Sequence, residues 1–250
     1  VIVCDGLADR PLKALRGMTP LEAVETPALD GLASRGICGL IDVLSPGRPP
    51  GSDVANMALL GYDPFKHYSG RGALEALGAG LEVRLEDVAF RCNFATVDEG
   101  MVVVDRRAGR VDGRPFEEVL RDIRVEGYPN VQVFFKHSTE HRGAIVLRGE
   151  KLSRMVSDSD PHVEGERVRR VEPLDGSLEA KRTADILNRL TKLAHERLEK
   201  HPLNAERIRR GLPPANILLF RGAGTLPRLK PLSEIDGVKA AAISANALVR

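Results

Sequence analysis

Tryptophan is absent from this 250-residue chain, and aromatic side chains of any kind make up only 4% of it. A core must therefore be largely aliphatic, and a hydrophobic content of 42% is enough to build one. No apolar run approaches the length of a membrane span, and no signal-peptide pattern opens the chain. Charge of one sign is lacking too: 37 Lys and Arg face 35 Asp and Glu, for a formal net charge of +2. That balance excludes a nucleic-acid binder driven by bulk charge, yet leaves local arginine clusters free to act as anion sites. Cysteine is scarce. Cys4, Cys38 and Cys92 are odd in number and fit neither a zinc motif nor a disulfide framework, which reads as a reducing cytoplasm. The first residue is Val rather than Met, so the expectation is a trimmed N-terminus.

The length allows one large domain or two smaller ones. Val1 to Cys4 reads as a buried strand that delivers Asp5 at its end, and Ile37 to Leu44 as a second strand. Between them, Pro11 to Gly36 carries a helical pattern, with Thr26-Pro27 at a helix start and Gly36 at its end. A loop with three prolines and two glycines, Ser45 to Ser52, precedes a helix expected over Asp53 to Leu60. The character then changes. Phe90 to Val97 alternates apolar and polar residues, as a half-buried antiparallel strand does. Met101 to Val104 follows it as a hairpin partner, and Val131 to Lys136 and Ala144 to Arg148 are further strands. Helices are expected over residues 115–124 and 179–200, the second with Ala184, Leu187, Leu190, Leu193 and Leu198 on its apolar face. Buried-strand character returns at Asn216 to Phe220 and at Val238 to Ile243. The expected organisation is an outer α/β unit, residues 1–70 and 212–250, with an α+β domain inserted at 71–211.

Three constellations could carry chemistry. Asp5 at a strand end is a candidate ligand for a hard or borderline divalent metal, or else a solvated turn residue. Ser52 is a candidate nucleophile or a helix N-cap, and the two roles are compatible because a helix N-terminus favours anions. No Gly-x-Ser-x-Gly elbow surrounds it, which argues against a hydrolase triad. Asp105-Arg106-Arg107-Ala108-Gly109-Arg110 puts three arginines in six residues, suited to phosphate or carboxylate, or simply a charged hairpin exit. Arg71, His141 and Arg142 are weaker anion candidates. Asp158, Asp160 and His162 could hold a metal but read better as a polar loop, and Arg221-Gly222-Ala223-Gly224 lacks the Gly-Lys-Ser/Thr ending of a phosphate-binding P-loop.

Taken together and in order, these segments resemble the archaeal-type cofactor-independent (2,3-bisphosphoglycerate-independent) phosphoglycerate mutases of the alkaline phosphatase superfamily. The matching stretches are Asp5-Gly6-Leu7-Ala8-Asp9-Arg10-Pro11, Thr19-Pro20-Leu21-Glu22-Ala23, Gly51-Ser52-Asp53-Val54-Ala55, Leu60-Gly61-Tyr62-Asp63-Pro64 and Arg71-Gly72-Ala73-Leu74-Glu75-Ala76. They continue through Phe90-Arg91-Cys92-Asn93-Phe94-Ala95-Thr96, the arginine-rich Asp105 to Arg110, and Arg221-Gly222-Ala223-Gly224-Thr225.

The resemblance implies an alkaline-phosphatase-like α/β core, incomplete in this chain, with an inserted α+β lid domain. It implies an isomerase that interconverts 3-phosphoglycerate and 2-phosphoglycerate through a phosphoserine at Ser52. Two divalent metal ions (Mn, Mg, Co or Zn) would be held in part by Asp5 and Ser52, with no 2,3-bisphosphoglycerate required. Arg106 would bind substrate, with Arg107, Arg110, Arg91, His141 and Arg142 as further contacts. The expected partner is a small phosphoglycerate, not nucleic acid or membrane, in a cytoplasmic protein whose homo-oligomeric state is open. The family's remaining metal ligands come from Asp-x-x-x-His and Asp-His segments that these 250 residues do not reach. The expectation is therefore that this stretch alone neither holds two metals tightly nor turns over. Two other readings stand beside the mutase: another phosphotransfer enzyme of the superfamily, and a non-catalytic phospho-ligand-binding module.

Overall fold

Short α1 (Pro20–Ala23) opens on a reciprocal capping box: the Thr19 hydroxyl accepts from the Glu22 amide, and the Glu22 carboxylate accepts from the Thr19 amide. Helix α2 (Pro27–Arg35) has Pro at its first position and Gly36 at its end. The helical pattern of residues 11–36 thus resolves into a 3-10 turn at Lys13–Leu15 and these two helices. These coordinates, a computed structural model, describe residues 2–4, 7–235, 237, 239 and 241. The chain divides into two units, residues 1–47 and 48–250. In the first unit the expected strands are not formed. Residues 2–4 and 37–42 are extended without ladder partners, and Ile2, Ile37 and Leu40 are exposed. A strand exists only when its backbone groups find a neighbour, and apolar content alone does not supply one. The expected strand at Val238 to Ile243 lies largely outside the described residues.

The second unit begins with α3 (Ser52–Leu59), α4 (Pro64–His67) and α5 (Arg71–Gly78). An antiparallel sheet follows: β1 (Val88–Val97), β2 (Val103–Asp105), β3 (Gln132–Thr139), β4 (Arg142–Arg148) and β5 (Ile217–Gly224). Between strands lie α6 (Glu117–Leu120), long α7 (Leu178–Glu199) and α8 (Pro202–Arg209), and α9 (Leu232–Ile235) comes last. The sheet order is β2-β1-β4-β3, with β5 also paired to β1. Asn216 to Phe220 was expected as a buried strand, and β5 is one. It runs antiparallel to β1, with Arg91 opposite Arg221 and Ala95 opposite Ile217. Residues 115–124 hold only a 3-10 turn and the four-residue α6, because the backbone turns extended at Arg121 (φ −71°, ψ 146°) and then left-handed at Asp122 (φ 55°).

Helices cover both faces of this sheet, so all ten residues of β1 are buried, not half of them as the alternation suggested. On one face Val88, Phe90, Cys92 and Phe94 pack with Leu218 and Phe220 of β5 against the apolar stripe of α7. That stripe is Ala180, Ala184, Leu187, Leu190, Ala194 and Leu198, at the helical repeat, and Ser177 caps the helix by accepting from the Ala180 amide at 3.1 Å. The other face carries Ala89, Ala144 and Val146 against Ala73 and Ala76 of α5.

Small residues set the distance of α5 from the sheet. A Cβ on Gly72 would overlap the Ala89 carbonyl, and one on Gly70 would overlap that of Ala223, where Gly70 also has φ +109°. Gly72→Val should therefore lower stability by about 1–3 kcal/mol or more, as overpacking does. Leu190→Ala, a cavity on the opposite face, should cost about 2–5 kcal/mol. Urea titration followed by far-UV circular dichroism measures both.

Candidate active site

The alternation of β1 places Arg91 and Asn93 on the α5 face, between Ala89 at one end and Ala95 at the other. Register brings further polar side chains beside them. Arg221 of β5 lies opposite Arg91, and Arg142 of β4 lies opposite Asn93. From above the sheet, α5 contributes Arg71 and Glu75. Arg91 is only 6% exposed. Its Nη1 lies 3.6 Å from Glu75 Oε1, which also accepts from Arg71 Nε at 2.8 Å. Burial pulls the Arg91 guanidinium down to about 10, the neighbouring Arg221 charge adding to the effect and Glu75 opposing it.

Several buried polar atoms on this face find no hydrogen-bond partner among the described residues: Arg91 Nε, Arg142 Nε, His141 Nδ1 and Asn93 Oδ1. Buried polar groups are nearly always paired, so a cluster of unpartnered donors and acceptors on one face calls for an explanation. His141, 2% exposed, sits in the β3–β4 turn with its Nδ1 3.8 Å from Glu140 Oε2. Burial first, then the charges of Arg142, Arg107, Arg91 and Arg110, push it down to about 4, so it is neutral at pH 7.

The arginine-rich turn is split in its roles. Asp105 folds it by accepting from the amides of Arg107 and Gly109, both at 2.7 Å, and Arg207 Nη2 donates to the Ala108 carbonyl at 2.8 Å. Ala108, Gly109 and Arg110 all have positive φ (46°, 62° and 55°), a strain of order 1–3 kcal/mol at each non-glycine position. Arg106 turns inward and makes a two-pronged pair with Asp160, Nε to Oδ1 at 3.0 Å and Nη2 to Oδ2 at 2.7 Å. Arg221 Nη1 lies 3.6 Å from the same Oδ2. Asp160 is fully buried. Its burial opposes ionisation, but the bonds from Arg106 and the His162 amide and the charges of Arg106 and Arg221 outweigh it and hold the carboxyl below its usual range. Arg107 and Arg110 stay exposed, Arg110 3.8 Å from Glu140.

Ser52 opens α3 as its first helical residue. Gly51 is the N-cap, so the expectation that Ser52 itself caps the helix is corrected: the turn starts one residue earlier. The hydroxyl of Tyr68 donates to Asp53, the neighbour of Ser52, and burial followed by that bond raises the Tyr68 phenol well above its usual value. Arg71 is near enough for its charge to act on Tyr68, and its Cβ borders Gly222. Contacts therefore run from the start of α3 through Tyr68 and Arg71 to Glu75 and Arg91.

Asp5 lies outside the described residues. Among those described, no group of three or more His, Cys, Asp or Glu could hold a metal ion. Asp158, Asp160 and His162 do not form one: Asp158 accepts from His162 Nε2 at 3.0 Å and from the Gly222 amide at 2.8 Å, while Asp160 is turned to the arginines. Three residues of the site were weakly signalled or unsignalled in the sequence. Arg221 was masked by its glycine-rich context, Asn93 fell among the polar positions of a half-buried strand, and Glu75 entered only within a stretch that carries the resemblance.

A sequence model of the 2,3-bisphosphoglycerate-independent phosphoglycerate mutases matches residues 33–204, and the chain belongs to that family. It is 51% identical over 250 residues to 2,3-bisphosphoglycerate-independent phosphoglycerate mutase 1 of Methanocaldococcus jannaschii, covering all of this chain and 60% of the relative. It is 49% identical over 251 residues to the enzyme of that name from Methanobrevibacter smithii, covering 61% of it. The chain thus spans about three fifths of the length of the curated relatives it matches. Among solved structures, the cofactor-independent phosphoglycerate mutase of Thermoplasma acidophilum superimposes with a TM-score of 0.63 at 40% identity, over 97% of this chain and 63% of that one. A Pyrococcus horikoshii protein superimposes with a TM-score of 0.70 at 37% identity, over 98% of this chain and 56% of that one.

Because the folded value for His141 lies below the ordinary 6.5, the unfolded chain binds this proton more readily. The His141 contribution to stability should be complete above pH 6.5 and fall as the pH drops toward 4. His141→Gln should flatten that part of the stability profile, and NMR titration of the His141 ring should show no protonation above pH 5.5.

Proposed function

We propose that the protein interconverts 3-phosphoglycerate and 2-phosphoglycerate, with Ser52 as the phosphoryl acceptor and the covered arginine face as the anion site. One observation carries the reading: Arg91 and Arg142 present buried, unpartnered donors, beside the unpartnered Nδ1 of His141, on a face that Arg221 and Arg71 also line. A ligand with a phosphate and a carboxylate matches such a surface, since guanidinium groups bind both in two-pronged fashion. Arg106 contributes from its pair with Asp160, and exposed Arg107 and Arg110 act as outer contacts.

In this reading the Ser52 oxygen forms a bond to phosphorus as the bond to the substrate's 3-oxygen breaks. The glycerate turns while its carboxylate stays on the arginines, and its 2-oxygen then takes the phosphoryl group back from Ser52. The first turn of α3 offers amide N–H groups and the positive end of the helix dipole to the transferring group. The two divalent ions implied by the resemblance would supply charge stabilisation, resting on Asp5 and Ser52. The described donors do not complete such a site. Family membership supports independence from 2,3-bisphosphoglycerate.

We also read residues 71–211 as a lid inserted into an alkaline-phosphatase-like core, and β5 shares the sheet of that insertion. A lid would keep water from the phosphoserine. Among the described residues no helix is long and apolar enough to cross a membrane, and a cytoplasmic setting is part of the same proposal.

In protein that turns over 3-phosphoglycerate, Ser52→Ala should abolish its conversion to 2-phosphoglycerate and the appearance of an acid-stable phosphoserine. Arg91→Ala should lower kcat/KM by about 100-fold or more, since buried charged hydrogen bonds are worth about 1.5–3 kcal/mol or more each. Full activity in Ser52→Ala refutes the mechanism. Coupled spectrophotometric assay and phosphopeptide mass spectrometry are the measurements.

A further inference from the structure

We propose that Glu75 and Asp160 are positioning residues that brace the arginines of this face in two pairs. The inference rests on the anion-site reading above and extends it to residues with no assigned part in the chemistry. Each carboxylate is buried, Glu75 to 3% and Asp160 to 0% exposure. Each joins one arginine from a strand to one from a neighbouring element. Glu75 joins Arg91 of β1 (3.6 Å) to Arg71 of α5 (2.8 Å). Asp160 joins Arg221 of β5 (3.6 Å) to Arg106 of the turn after β2 (2.7 Å).

The need for braces follows from the register. Arg91 and Arg221 lie directly opposite each other on adjacent strands, the placement in which like charges destabilise a pair. Both are desolvated, and each lowers the proton affinity of the other or is crowded by further arginines. Without a carboxylate between neighbours, four guanidiniums would splay toward solvent. With them, the four braced arginines exceed their two carboxylates by two positive charges, in fixed directions, and Arg142 adds to that surplus. That surplus suits a phosphate dianion.

The loop that presents Asp160 is itself anchored. The Ser159 hydroxyl accepts from the Phe220 amide at 2.8 Å, and Asp158 accepts from the Gly222 amide at 2.8 Å. The 158–162 loop is therefore stitched to β5 on both sides of Arg221. It carries Asp160 to Arg106 from a position set by the sheet.

The experiment compares Glu75→Gln and Asp160→Asn with Glu75→Asp and Asp160→Glu. The first two remove the charge and keep the shape, and the second two keep the charge and move it by one methylene. Phenylglyoxal labelling, read by peptide mass spectrometry, reports each arginine without reference to catalysis. In folded Glu75→Gln protein, Arg71 and Arg91 should label several-fold faster while Arg106 and Arg221 hold the parent rate. Asp160→Asn should give the reverse pattern. All four variants should lose about 100-fold in kcat/KM for 3-phosphoglycerate, the loss a misplacement of about 1 Å can cause. The Asp and Glu replacements should lose activity although they keep the charge, which a role in charge balance alone would not produce. Should the neutral variants unfold, the charge-keeping pair supplies the labelling and kinetic data. Parent labelling rates in folded variants would overturn the braces whatever the substrate. Altered labelling with no binding of 3-phosphoglycerate to the parent protein would instead overturn the reading of the site and leave the braces standing.

Discussion

A guanidinium on a sheet face that a helix then covers is the constraint around which this unit is organised. Arg91 occupies a position where an aliphatic side chain would be the stable choice, flanked along its strand by Ala89 and Ala95. Burying a charge there is costly unless opposite charge and hydrogen bonds accompany it. Glu75 of α5 provides the opposite charge, and the helix can deliver it only because small residues let it lie against the strand. The Nε of Arg91 remains without a partner, so the local balance is left incomplete on the side that faces a ligand.

The same logic separates the arginines that define the face from those that surround it. Arg91 is buried, and Arg106 and Arg221 are half-buried and paired with carboxylates, so their fields are less weakened by salt and water than those of exposed charges. Arg107 and Arg110 stand in solvent on a strained turn, where ion pairs contribute little to stability. In the proposed function their value lies in long-range attraction of an anion, and the turn's left-handed backbone fixes where they stand. Deep residues thus set geometry, and shallow ones set encounter.

Much of this was legible in the residues. The strands of the inserted sheet, the long α7 with its aliphatic stripe, and the loop-to-helix junction at Ser52 all follow from periodicity and turn chemistry. The candidate anion contacts Arg91, Arg106, His141 and Arg142 do lie around one face. What periodicity could not show is that the polar half of β1 is covered. An Arg and an Asn at alternate positions look the same whether they meet solvent or a helix. Glu75 carried no signal of its own in the sequence, and the pairing of β5 with β1 was hidden, since register between distant segments leaves no local signal. Apolar segments near the start of the chain read as strands because composition records burial tendency and not the presence of a hydrogen-bonding neighbour.

The close seating of α5 has a consequence for motion. Backbone meets backbone at Gly70 and Gly72, with no side chain between to rotate or slide. Such a contact has no soft coordinate, so Arg71 and Arg91 form a single mechanical piece. Rearrangement of this unit as substrate enters or leaves must carry the arginine face as a rigid block, with its hinges outside the segment from Gly70 through the sheet. Selectivity for the shape of a small anion would then be a property of the block itself, already set before any closure begins.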